Sequence, residues 1–431
     1  VSGAHADAGA RGAVQRRVLR VLLLAQVLAG AGLAAGITVG ALLAEDMLGT
    51  TSAAGVPAAL LTGGAAAAAL LVARLSDRSG RRPGLAAGYA VGAVGAAGVV
   101  VAAAIDHVPL LFVALVLYGS GSATNLQARY AGADLADPER RGRAVSTVLV
   151  ATTLGAVIGP NLVEPTGSLA RELGIRELAG PFLLAGSAYA LAAVAVAVLL
   201  RPDPLLTARA WAAEEAAAPP TAAAPTATDA AAARAADAQA QEATATLRLA
   251  AAGMIVTQLV MVAVMTMTPV HMRDHGHGVG AAGFVISLHV AAMFLPSPLT
   301  GQLVDRVGRR PVLAAGSATL VLAGGVAALA PADSVGILAV ALVLLGLGWN
   351  LGLVAGTALV TDAVPLAERA RTQGRVDLGV ALAGATGGMG SGFVVAATDY
   401  VGLALLGGVL ALCLLPALLV ARGPAVTRPA V

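Results

Sequence analysis

Lysine is absent from this 431-residue chain, and all 27 basic residues are arginine. A phosphate-binding loop of the GxxxxGK[ST] type needs that lysine, so work driven by nucleotide hydrolysis at such a loop is excluded. Cysteine occurs once, as Cys413. No disulfide can form within the chain and no CxxC-type site exists; in its late apolar run the residue reads as small buried core. Charged residues make up 12% of the chain against 58% hydrophobic, about half the roughly 25% charged content of soluble domains. Water is therefore not the main solvent. A pI near 9.5 would suggest nucleic acid in a soluble protein; here the arginines are read as membrane topology, and no nucleic-acid partner is expected.

Runs long enough to span a bilayer, about 20 apolar residues each, recur along the whole length. The reading is an all-α membrane protein with twelve spans: roughly 18–43, 52–75, 83–104, 108–133, 144–165, 179–200, 247–271, 281–303, 311–330, 335–361, 376–397 and 400–421. Residues 1–17 read as a polar tail without regular structure. They are not expected to be a cleavable leader, because the apolar run after Arg16, Arg17 and Arg20 is too long for one. Residues 201–246, rich in alanine and interrupted by prolines, read as a linker with room for a short surface helix. It divides an N-terminal bundle (18–200) from a C-terminal bundle (247–421), and 422–431 form a second tail. Arginines cluster before span one and between spans 2–3, 4–5, 6–7, 8–9 and 10–11. The opposite loops carry only Arg171, Arg176 and Arg273, beside Glu45, Asp46, Asp106, Asp333 and Asp399. This bias predicts a multi-pass protein of the cell membrane with both termini in the cytoplasm.

The two bundles repeat at a constant offset of 228. "ARLSDRSGRRP" (Ala73–Pro83) corresponds to "GQLVDRVGRRP" (Gly301–Pro311), each after the second span of its half, and Arg141 and Arg143 correspond to Arg369 and Arg371. Asp77, Arg78 and Arg81, with Asp305, Arg306 and Arg309, can form a charge latch that closes the cytoplasmic side; each copy taken alone could equally be a positive anchor. These loops resemble the signature loop of the major facilitator superfamily, G-x-L-x-D-R-x-G-R-R. The second copy matches in full, and the first has Ala73 for the leading glycine. "LGAVIGP" (Leu154–Pro160) resembles the same family's glycine-rich element in span five. The resemblance implies two pseudo-symmetric six-helix bundles that rock about a central site by alternating access. It implies a secondary transporter rather than an enzyme, but leaves the cargo open. Asn125 and Arg129 in span four and Asn350 in span ten are the polar candidates for the central cavity; Arg129 serves either structure or coupling. Asp134, Asp362 and Asp377 read as lying near cytoplasmic ends, so no carboxylate is evident at membrane depth.

Sulfur and imidazole are scarce but concentrated. Six of eight methionines and four of six histidines fall between 254 and 293. Met254, Met261, Met265 and Met272 follow one stripe of span seven, and in span eight His289 and Met293 are one turn apart. A methionine stripe is commonly packing. A histidine at mid-membrane instead marks an ion or substrate path, and thioethers with an imidazole form a soft set suited to Cu(I). The pairing of MxxxM with HxxxM, with 23 residues between Met265 and His289, resembles the CcoA-like copper importers of the superfamily. That resemblance implies that Met261, Met265, His289 and Met293 are the ligands of a copper path, with copper as cargo and no resident cofactor. The cysteines that accompany the motif in some members are missing here. His271, Met272, His275 and His277, beyond Pro269, either capture copper at the outer mouth or are an incidental polar loop. The rival reading is a proton-coupled carrier of a small organic molecule, riboflavin-like or a drug. The lipid bilayer is the other expected partner, and the chain is expected to act as a monomer.

Overall fold

The computed structural model describes residues 2–48, 55–217, 229–331 and 333–420. The centre of the linker and the tail at 422–431 lie outside the described residues, as does the side chain of Pro160. The first bundle contains α1 (Ser2–Leu48), α2 (Gly55–Ser79), α3 (Arg81–Ala104), α4 (Val108–Ala133), α5 (Arg141–Asn161) and α7 (Gly180–Leu199). A short α6 (Val163–Glu172) follows α5. After α7 comes α8 (Pro204–Ala217), and the second bundle is α9 (Asp229–Asp274), α10 (Val279–Phe294), α11 (Ser297–Val307), α12 (Arg309–Leu329), α13 (Val335–Ala363), α14 (Arg369–Ala397) and α15 (Tyr400–Val420). Ten stretches of the described residues are long and apolar enough to cross a bilayer. Helices α1 and α5 take the places of spans one and five, and the whole is two six-helix halves.

Each bundle has its own apolar core. In the first, Tyr89, Tyr118, Phe182 and Tyr189 gather at ring distances of 5.3–6.1 Å. In the second, small and aliphatic residues of α12 and α13 pack with Met254, Met261, Met272, Met293 and Trp349.

Four sequence expectations need correction. The tail at 1–17 is helical from Ser2 and continuous with the first span; in the linker Pro204–Ala217 is the short helix allowed for, but the stretch from Asp229 is also helical and continuous with span seven. Both segments are alanine-rich, and alanine carries the lowest helical cost of any residue. Span eight is two helices, because Pro296 and Pro298 offer no N–H to continue the ladder. Cys413 is exposed rather than buried; it sits on the outer flank of a spanning helix, where the surrounding medium is lipid.

Candidate functional site

Helix α13 is the scaffold of the methionine–histidine region. On one of its faces α9 runs antiparallel: Met254 packs at Gly356, Thr257 at Gly352, and Trp349 Nε1 donates to Gln258 Oε1 at 2.7 Å. Continued along α9 in steps of one turn, that register brings Met261 and Met265 to the levels of Gly348 and Leu344. On an adjacent face, about 90° around the helix by the 100° advance per residue, sits α10. Gly346 permits this approach: a Cβ there would lie 2.5 Å from the His289 carbonyl oxygen. His289 is thus at the same level as Met265, and the two helices are joined through α13 rather than packed on each other along their length.

His289 is wholly buried. Its Nδ1 lies 2.8 Å from the Leu342 carbonyl oxygen, and a carbonyl can only accept, so Nδ1 carries the proton. The lone pair is then on Nε2, which is buried and has no hydrogen-bond partner among the described residues. Met293, one turn on, is the next-to-last residue of α10, just before the break. Its carbonyl oxygen accepts from Asn350 Nδ2 at 2.7 Å; the same nitrogen reaches Ser297 Oγ at 2.7 Å, and Asn350 Oδ1 accepts from Thr300 at 2.6 Å. Asn350, expected in the central cavity, is instead consumed in stapling the break. Met261 and Met293 belong to the same buried core, and Met265 and Met267 pack against it half-buried. Among the described residues no three His, Cys, Asp or Glu side chains come together, so the region offers thioethers and one imidazole instead of a hard oxygen-rich site.

Toward the outer end, α9 continues through Pro269 to Asp274. Met272 was expected at the mouth, yet its side chain turns into the core and is fully buried. His271 is half-buried and stacks on Tyr400 at 4.3 Å, with the His275 ring also at 4.3 Å. His275 is exposed, while His277 is only partly so.

A second constellation joins the bundles. Arg129, fully buried, donates from Nη2 to Asp377 Oδ1 at 2.6 Å and from Nε to Thr357 Oγ1 at 2.9 Å. Tyr130 donates to the same Asp377 oxygen at 3.1 Å. Asp377 is buried in the third turn of α14, on the arginine-rich side as expected, level with Arg129 near the end of α4 and Thr357 near the end of α13; what the sequence did not show is that its carboxylate is shared between the bundles. Arg81 pairs with Asp134 at 2.7 Å, both buried, and reaches Gln373 of the other bundle. Asn125 is buried, with its Nδ2 unpartnered among the described residues.

The repeated loops form twin contacts on the arginine-rich side. Asp77 meets Arg371 at 3.3 Å and Arg209 of α8 at 2.9 Å. One repeat later, Asp305 accepts from the backbone N–H groups of Gly142 and Arg143 at 2.8 and 3.0 Å, with the Arg143 side chain at 3.8 Å. Arg309–Asp362, at 2.9 Å, is the counterpart of Arg81–Asp134, and Arg141 also pairs with Asp362. Arg78 and Arg306 make no ion pair among the described residues. These contacts close the arginine-rich side. Sequence reasoning missed Thr357, Gln373 and Arg209 because each acts on a residue far away in the chain.

Spanning helices in two repeated six-helix halves, meeting through paired loops, have the architecture of a membrane transporter, and the comparisons agree. The family model described as Major Facilitator Superfamily matches residues 22–236 and 249–430, and the chain belongs to that family. It is 50% identical over 408 residues, 95% of this chain and 92% of the relative, to the uncharacterized MFS-type transporter YdeG of Bacillus subtilis. It is 31% identical over 364 residues, 84% of this chain and 85% of the relative, to the riboflavin transporter RfnT of Brucella anthropi. The fold matches the crystal structure of the human organic anion transporter MFSD10 with a TM-score of 0.73 at 14% identity, over 94% of this chain and 99% of that one. Family and fold are those of membrane transporters.

Proposed function

We propose that this secondary transporter, a monomer of the cell membrane with both termini in the cytoplasm, imports copper. The observation that carries the reading is His289. An imidazole sealed in a membrane core, its Nδ1 committed to Leu342 and its Nε2 lone pair unspent, costs free energy unless something else uses that lone pair. Its neighbours by register are thioethers, and it lies within two turns of the break in its own helix, the kind of element that builds carrier sites near mid-membrane. Met261, Met265, His289 and Met293 would pass the ion inward as cargo, with no resident cofactor and no chemical step. His271, His275 and His277 would be the first contacts outside. With the arginine-rich side cytoplasmic, the contacts there make this a state closed to the cytoplasm.

The 31% identity to a riboflavin transporter favours a second reading, a small organic cargo. Two assays separate them. Copper content of whole cells, measured by mass spectrometry, should rise with the wild type and stay at background with Met265→Ala or His289→Ala at equal membrane abundance. Rescue of a riboflavin auxotroph by wild type and His289→Ala alike, with no copper signal from either, would sink the copper reading and select the other.

A further inference from the structure

On the arginine-rich side a pocket of about 190 Å³ opens between α2 of the first bundle and α14 of the second. Four arginines line it, Arg74, Arg78, Arg371 and Arg375, with one carboxylate, Asp77, and an apolar wall at Leu70. The arginines come as two i,i+4 pairs on facing helices, a spacing at which like charges repel. Asp77 is already shared between Arg209 and Arg371. Arg74, Arg78 and Arg375 make no ion pair among the described residues.

The repeat supplies an internal control. At the same offset of 228, the corresponding positions where α5 packs on α11 are Gln302, Arg306, Arg143 and Thr147. This contact has the same loop and the same latch carboxylate, Asp305, but neutral side chains replace two of the arginines. Closing a contact of this kind therefore does not require Arg74 or Arg375, and their charge needs another account. The neighbouring flank of α2 exposes Leu71 and Leu75, which places the pocket where lipid headgroups meet the helix.

We infer that this crevice binds the phosphate of an anionic lipid headgroup. Guanidinium forks match phosphate oxygens, and here they come from both bundles. The headgroup therefore bridges α2 and α14 only while the arginine-rich side is closed. A ligand that binds one state alone shifts the equilibrium toward it, so the lipid holds the carrier closed on that side. This rests on the fold and is independent of the cargo.

The test uses full-length protein in phosphatidylcholine vesicles, in a Cys413→Ser background carrying Thr361→Cys. Thr361 is buried beside Gln373, and a cysteine there reports opening through its reaction with a water-soluble maleimide. Adding phosphatidylglycerol should slow labelling about tenfold and should have little effect in Arg74→Gln/Arg375→Thr, which installs the side chains of the twin contact. Native mass spectrometry should show phosphatidylglycerol retained by the parent and lost from that variant, or from Arg74→Gln alone should the double variant fold poorly. Equal slowing and equal retention in the variants overturn the site. The same slowing by inorganic phosphate without phosphatidylglycerol overturns the lipid as its occupant.

Discussion

Arg129 shows what a single residue contributes across a boundary. Its guanidinium belongs to the first bundle and its carboxylate partner, Asp377, to the second. A buried charge-assisted hydrogen bond contributes about 1.5–3 kcal/mol, and this one is made only while the bundles are together. Asp377→Asn should therefore favour the state open on the arginine-rich side, raising maleimide labelling of the Thr361→Cys protein about tenfold; unchanged labelling would show that the pair stabilises folding alone. The sequence showed Arg129 but not its partner, which is 248 positions away and which no local spacing announces. The methionine–histidine group was legible because helical periodicity puts its members on shared faces. The protonated nitrogen of His289 was not, since the carbonyl that decides it belongs to α13.

At the scale of elements, the contact between α10 and α13 positions the site. Gly346 has no side chain, and His289 uses that space. Gly346→Val should push α10 outward at an overpacking cost of about 1–3 kcal/mol. The expected result is a protein that reaches the membrane, melts at a lower temperature and no longer transports; wild-type transport would mean the helix yields freely. Hydropathy read span eight as continuous because it counts apolar surface and is blind to missing N–H donors. The residues that gave the break away, Pro296 and Pro298, were visible all the same. Asn350 was misplaced for a similar reason: polarity within a span marks a functional cavity or a backbone repair, and only the partners tell which.

For the whole molecule, the constant offset of 228 made the duplicated architecture legible before any coordinates. Which side is closed was not legible, because one sequence supports both states. The twin latches differ in strength. Asp305 is nearly excluded from solvent, at 3% exposure against 13% for Asp77, and accepts two backbone N–H groups. Asp305→Ala leaves those donors unmet, at about 1–3 kcal/mol for a buried donor, whereas Arg209 and Arg371 around Asp77 can turn to water. Asp305→Ala should accordingly lower the melting temperature in detergent more than Asp77→Ala; the reverse order would contradict this account of the latch.

Arg129 and Thr357 touch, and they are separated by one full repeat. The axis relating the halves therefore passes between a residue and its own copy. Two identical half-chains assembled around that line would press guanidinium against guanidinium in a dry interior, a repulsion the fold could not sustain. A central arginine at this place thus demands unlike halves: one copy keeps the cation and the other has become a hydroxyl that accepts from it.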